Sequence, residues 1–215
     1  TEARLGSPQF CDVIAPNSSQ TSTVCFRHGK RFAVIAIAQK LRPDAVDVVN
    51  ALRGCGLGLH ILSGDHPEAV APVASVLDIP HWQGGLKPAQ KITCIETLKA
   101  SGCRVLMVGD GLNDAPSLAA AHVSLSPISA ADVTQAQADA VFLGEKLKPV
   151  LDAIVVARRA RKLMMQNLWL AGIYNAIAVP VAIAGAVTPL IAALAMSGSS
   201  LLVTLNAMRA NGGAR

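Results

Sequence analysis

The chain has 215 residues, 52% of them hydrophobic and only 15% charged, with a formal net charge of +5. That balance is too apolar for an average soluble domain. Much of the positive excess sits in one cluster, Arg158, Arg159, Arg161 and Lys162, and no aromatic-studded basic stretch accompanies it, which excludes nucleic-acid binding. The five cysteines form no Cys-x-x-Cys pair and the five histidines are scattered, so both read as packing residues rather than a disulfide framework or a zinc site. No secretory signal opens the chain, and Thr1 begins in mid-pattern, as expected of a piece of something longer.

To about Ala38 the chain reads as β-rich. Thr23–Phe26 and Phe32–Ala38 are apolar strands joined by an Arg27-His28-Gly29-Lys30 hairpin, with Pro16–Gln20 a loop before them. This section is too small to stand as a domain. From Leu41 helices and short apolar strands alternate. Helices are predicted at Pro43–Leu52, His66–Leu77, Pro88–Ala100 and Asn113–Ala121. Strands are predicted at Leu57–Leu62, Ile79–Gln83, Val105–Val108, Val123–Leu125 and Ala140–Leu143. Such alternation argues for a parallel, Rossmann-like α/β sheet with right-handed crossovers.

Three polar clusters fall at the carboxyl edge of that sheet, where ligands bind in open α/β folds. Ser63-Gly64-Asp65 ends one strand, and Gly109-Asp110-Gly111-Leu112-Asn113-Asp114 ends another. Lys91 lies in the first turns of the helix between them. A hydroxyl and helix-start amides can hold phosphoryl oxygens, and a lysine can neutralise charge on a transferring group. Two carboxylates and an amide at a strand end suit a hard cation such as Mg²⁺. Each signal alone is weak, because Ser-Gly-Asp also caps ordinary helices and a lone lysine is usually solvated. Their order and spacing carry the reading.

The end of the chain differs in kind. From Asn167 to Met208 there is no Asp, Glu, Lys or Arg. A membrane span needs roughly 20 apolar residues, so the stretch fits two transmembrane helices, about 167–186 and 189–208, around a Gly185–Pro189 turn. Leu151–Met165 reads as an amphipathic helix leading in. The basic residues before the first span, with Arg209 and Arg215 after the second, put both flanks on the cytoplasmic side. Tyr174-Asn175 in the first span and Met196-Ser197-Gly198-Ser199-Ser200 in the second place polar groups at membrane depth, and a thioether suits a soft ion such as Cu(I).

Ser63-Gly64-Asp65, Pro88-Ala89-Gln90-Lys91 and Gly109-Asp110-Gly111-Leu112-Asn113-Asp114 resemble the second, third and fourth motifs of haloacid-dehalogenase-type phosphotransferases. The longer Gly-Asp-Gly-Leu-Asn-Asp-Ala-Pro form is similar to that of the phosphorylation domain of P-type ATPases. The resemblance implies that Asp110 and Asp114 serve Mg²⁺ with Asn113 in support. It also implies that Ser63, with Gly64 and Asp65, meets the phosphate and that Lys91 stabilises a phosphorylated aspartate. The family's Asp-Lys-Thr-Gly-Thr and Thr-Gly-Glu strings are absent, so this chain alone is not expected to form an aspartyl phosphate. Gln39 stands where many relatives carry Asp, and Ser63 replaces the commoner Thr.

Tyr174-Asn175 followed by Met196-Ser197-Gly198-Ser199-Ser200 looks like the last two membrane helices of copper(I)-transporting heavy-metal ATPases. The Gly-Ala-Val-Thr-Pro hairpin is similar to a bacterial subgroup serving assembly of a cbb-type haem–copper oxidase. The resemblance implies Tyr174, Asn175, Met196 and Ser200 as a copper site, completed by a Cys-Pro-Cys span that is not in this sequence. It implies ATP and Mg²⁺ as cofactors, and upstream actuator and nucleotide-binding domains, membrane lipid and copper chaperones as partners. The expected organisation is a nucleotide-binding-domain tail at 1–38, an incomplete phosphorylation domain at 39–145, and a juxtamembrane helix with two spans at 146–215. The expected location is the inner (cytoplasmic) membrane. The alternatives are a pump for a divalent ion such as Zn²⁺ and a membrane-anchored, non-catalytic binding or regulatory module.

Overall fold

A computed structural model describes residues 2–14, 21–38, 40–130 and 132–209. The expected Pro16–Gln20 loop, Gln39 and Arg215 lie outside the described residues. The chain divides into two compact units, Thr1–Val150 and Leu151–Arg215.

The first unit opens with an antiparallel sheet of β1 (Ala3–Gly6), β2 (Thr21–His28) and β3 (Arg31–Ala38), in that order. His28 faces Arg31 across a two-residue Gly29-Lys30 turn, with Gly29 at φ 61°. A positive φ there gives the primed turn whose twist matches the strands. Cys11 and Cys25 are both fully buried, and the Cys11 thiol donates to the Cys25 carbonyl at 3.1 Å. Among the described residues the cysteines form no disulfide.

The α/β part follows as α1 (Ala45–Gly54), β4 (His60–Leu62), α2 (Pro67–Val76), β5 (His81–Gln83), α3 (Pro88–Ala100) and β6 (Leu106–Val108). Then come a 3-10 turn at Leu112–Asp114, α4 (Ala115–Ala120), β7 (Val123–Pro127), α5 (Asp132–Gln137) and β8 (Ala140–Phe142). All the strand pairs here are parallel, as the alternation requires. They form two sheets, β4-β5 and β6-β7-β8. A small core of Ala45, Val49, Leu77 and Ile79 packs α1 against α2 and the residues after it, with Leu41, Ile61 and Leu147 at its margin.

The second unit is helical. α6 runs without a break from Lys148 to Ile183, so the expected juxtamembrane helix and first span are one element. α7 spans Pro189–Met208, with Pro189 in its first turn and the Thr188 hydroxyl accepting from the Ile191 amide at 3.4 Å. Between them Gly185 takes φ 73°, ending α6 in the left-handed conformation that glycine adopts most cheaply. Both helices are long and apolar enough to cross a membrane. Asn206 on α7 donates to Asn167 at 2.8 Å and Gln166 at 3.4 Å on α6, joining the helices far from the turn.

Candidate functional site

Two strands deliver polar groups at their carboxyl ends. β4 runs into Ser63, whose amide continues the ladder to the Gln83 carbonyl at 2.9 Å. The Ser63 hydroxyl accepts from the Asp65 amide at 3.1 Å and lies 3.4 Å from the Asp65 carboxylate, and the Leu86 amide bonds the Ser63 carbonyl at 3.0 Å. Gly84 closes on that turn. A Cβ there would sit 2.7 Å from the Pro67 Cα and 2.9 Å from the Asp65 carbonyl, so only glycine lets the two loops meet.

β6 runs into Gly109, whose amide still reaches the Leu125 carbonyl at 3.2 Å, and then releases Asp110. The chain turns through Gly111 into the 3-10 turn and brings Asp114 back beneath it. The Asp114 carboxylate accepts from the Gly111 amide at 3.4 Å. A Cβ on Gly109 would lie 3.0 Å from the Asp114 Cβ, and one on Gly111 would lie 3.2 Å from Asp114 Oδ2. The two glycines thus form a cradle shaped to this carboxylate.

Lys91 arrives from α3. Pro88 starts that helix, and the Gln90 side chain accepts from the Lys87 amide at 2.8 Å, fixing its first turn. Lys91 Nζ then meets Asp114 Oδ1 at 2.6 Å, with the two side chains 9% and 15% exposed. A desolvated pair of this kind is held only by its mutual charge and good geometry. Asp110 is 66% exposed, and Arg42 Nη2 stands 3.8 Å from its Oδ2. The fully buried Thr134 donates to the Gly111 carbonyl at 2.9 Å and steadies the loop from α5. Asn113 is exposed on the 3-10 turn.

Lys91 and Asp114 are therefore in contact, with Asp110 on the same loop. Ser63, Gly64 and Asp65 end a strand of the other parallel sheet. Sequence reasoning missed Arg42 and Thr134. Arg42 carried a signal in the Leu-Arg-Pro string before α1, whereas Thr134 lies in a polar stretch with none. The donors fit Mg²⁺: hard carboxylate oxygens on a glycine cradle at a strand edge, where Mg²⁺ would neutralise phosphoryl charge.

In the hairpin, a groove of about 370 Å³ between α6 and α7 is lined by Tyr174, Ser199 and Ser200 among aliphatic side chains. Asn175 and Met196 are not part of its lining, and Met196 is 69% exposed. Ser199, adjacent to an expected residue, is; its hydroxyl also donates to the Met196 carbonyl at 2.9 Å.

Parallel strands that gather polar side chains at their carboxyl ends place the chain in the class of open α/β folds that bind ligands at that edge. The family model of haloacid dehalogenase-like hydrolases matches residues 3–122, and the chain belongs to that family. It is 56% identical over its whole length to the nitrogen fixation protein FixI of Bradyrhizobium diazoefficiens, covering 30% of that protein. It is 35% identical over 95% of its length to the copper-exporting P-type ATPase B of Enterococcus hirae, covering 29% of that one. The structure superposes on a zinc-transporting PIB-type ATPase in its E2.Pi state with a TM-score of 0.79 and 31% identity, covering 90% of this chain and 32% of the other. The chain thus spans about 30% of the length of the curated relatives it matches.

Proposed function

We propose that the chain is part of an ATP-driven P-type pump that exports Cu(I) across the cytoplasmic membrane. The observation that carries this is the desolvated Lys91–Asp114 pair beside Asp110, in one chain with two helices free of acidic and basic side chains across residues 167–208. Among the described residues β4 pairs only with β5, and β6 only with β7. A parallel strand between β4 and β6, carrying the phosphorylated aspartate from elsewhere in the same polypeptide, would join the two sheets and bring Ser63 to face Asp110.

In this reading Asp110 and Asp114 hold Mg²⁺ with Asn113 in support, and ATP is the phosphoryl donor. Ser63, with Gly64 and Asp65, binds the phosphoryl oxygens. Lys91 is pre-placed by Asp114 and stabilises the phosphorylated carboxylate, sharing its charge between the two. Tyr174, Asn175, Met196 and Ser200 contribute to the copper path. The 69% exposure of Met196 leaves its thioether available to a neighbouring Cys-Pro-Cys span. Residues 1–38 end a nucleotide-binding domain, residues 39–145 belong to the phosphorylation domain, and both flanks of the hairpin are cytoplasmic. Copper chaperones and a cbb-type oxidase lie on the delivery route.

The likeness to a zinc-transporting pump favours a second reading, transport of a divalent ion. That reading calls for a carboxylate or lysine within the spans, and residues 167–208 contain none. The test is the intact parent protein with Met196→Ala. The expected result is Cu(I)-stimulated ATP turnover in the parent and at least a roughly tenfold weaker Cu(I) response in the variant. Stimulation by Zn²⁺ rather than Cu(I) in the parent would move the assignment to the divalent class.

A further inference from the structure

Asp44 occupies the N-cap position of α1, yet its side chain makes no capping hydrogen bond to that helix. It caps a different one. Asp44 Oδ1 accepts from the Leu147 amide at 3.0 Å and Oδ2 from the Lys148 amide at 2.8 Å, across more than a hundred residues of sequence. Those amides open α6, and the next residue, Pro149, has no N–H to satisfy. The Val150 amide turns back to the Leu147 carbonyl at 2.9 Å, completing the first turn. One carboxylate therefore sits at the positive ends of two helices, which favours its ionised form. Desolvation alone would raise its pKa. The amides of Leu147 and Lys148, its own amide and the charge of Lys146 outweigh that and hold the group below its ordinary value.

Two residues earlier, Arg42 faces Asp110 at 3.8 Å. The connection between the two is stiff. The Ala45 amide bonds the Arg42 carbonyl and the Val48 amide bonds the Asp44 carbonyl, both at 3.0 Å, and Pro43 fixes the backbone between them. Among the described residues the buried Arg42 Nη1 has no hydrogen-bond partner, which leaves the Asp110 charge to orient the Arg42 head. Leu147 is anchored as well, packed on the Ala45–Val49–Leu77–Ile79 core.

We propose that Arg42-Pro43-Asp44 is a strut linking the Asp110 carboxylate to the amino terminus of α6, and that Asp44 is a positioning residue for transport rather than for phosphorylation. This rests on the pump reading above. Charge changes at Asp110 reach Arg42, the short rigid segment carries them to Asp44, and Asp44 grips the start of a helix that continues unbroken to Ile183.

The experiment compares Asp44→Ala and the nearly isosteric Asp44→Asn in the intact parent. It measures phosphoenzyme formed from ATP alongside Cu(I) uptake into inverted membrane vesicles. The expected result for Asp44→Ala is phosphoenzyme within about twofold of wild type and Cu(I) uptake per phosphoenzyme reduced roughly tenfold. Asp44→Asn, whose amide oxygen can still accept one N–H, should recover part of the uptake. Unchanged uptake per phosphoenzyme in Asp44→Ala would overturn the strut alone. Parallel loss of phosphoenzyme and uptake in both variants would also overturn it, assigning Asp44 to fold maintenance. A wild-type parent that forms no phosphoenzyme would overturn the pump reading and the strut with it.

Discussion

The two polar regions of this molecule are held by opposite means. At the carboxyl edge of the α/β unit, Lys91 and Asp114 are nearly enclosed and locked together at 2.6 Å by a capped helix and a glycine loop. In the hairpin, Tyr174 and Ser200 border an open groove on helices whose apolar side chains are largely exposed, and Met196 is outside that groove. The first site is preorganised by its own neighbours, while on the pump reading the second supplies one wall of a site. Preorganised charge costs no rearrangement at the moment of reaction. On that reading, a site completed by neighbouring helices would change its ligands as those helices move, as alternating access demands.

If the comparison holds, substitutions at the α/β edge separate into functional and structural classes, and those in the hairpin do not. On the pump reading, Asp110→Asn is expected to carry the largest functional effect. The exposed carboxylate supports little of the fold, so its loss should cut ATP turnover of the intact parent by roughly 10³-fold or more without shifting thermal unfolding. Lys91→Ala should do both kinds of damage. It leaves Asp114 buried without its partner, at a stability cost of about 3–5 kcal/mol. Equal unfolding midpoints for Lys91→Ala and wild type would break the claim of a preorganised pair. Gly109→Ala is smaller. Its Cβ must displace Asp114 by a few tenths of an ångström, for about 1–3 kcal/mol, read by denaturant unfolding together with the Mg²⁺ dependence of turnover.

How legible these regions were follows from the kind of signal each element carries. α3 was read to its observed bounds, because Pro88 marks its start and the Ser101-Gly102 turn its end. β4 was expected from Leu57 but pairs only over His60–Leu62, because β5 offers just three partners. β1 and α5 were not expected. Four residues that pair with a strand many positions away leave no local pattern, and the polar Asp132–Gln137 stretch has no apolar face for periodicity to reveal. The motifs placed Asp110, Asp114 and Lys91 at the sheet edge because glycines and helix starts are local signals. The contacts made by Arg42, Asp44 and Thr134 are tertiary, joining residues 23 to 104 positions apart. Spacing alone could not reveal them.

Acid distinguishes the two regions with the smallest perturbation. His60 and His81 face each other across β4 and β5, their rings stacked at 4.9 Å. Burial lowers the His60 pKa below 6.5, and the nearby His81 charge lowers it further. The unfolded chain therefore takes up a proton before the folded one does. The stabilisation is complete above pH 6.5 and is lost as pH falls through the depressed folded value. Residues 167–208 contain no Asp, Glu, His, Lys or Arg, so the hairpin has no matching proton uptake. Hydrogen-exchange protection in the intact protein between pH 7.5 and pH 5 should therefore fall at Ile61 and Trp82, and hold along α6 and α7 beyond Asn167. His60→Gln should flatten the β4–β5 response and leave the hairpin as it was. A hairpin that loosened in step with β4 would mean that its stability is borrowed from titrating groups outside it, and the contrast between a self-supporting edge and a single wall would then need redrawing.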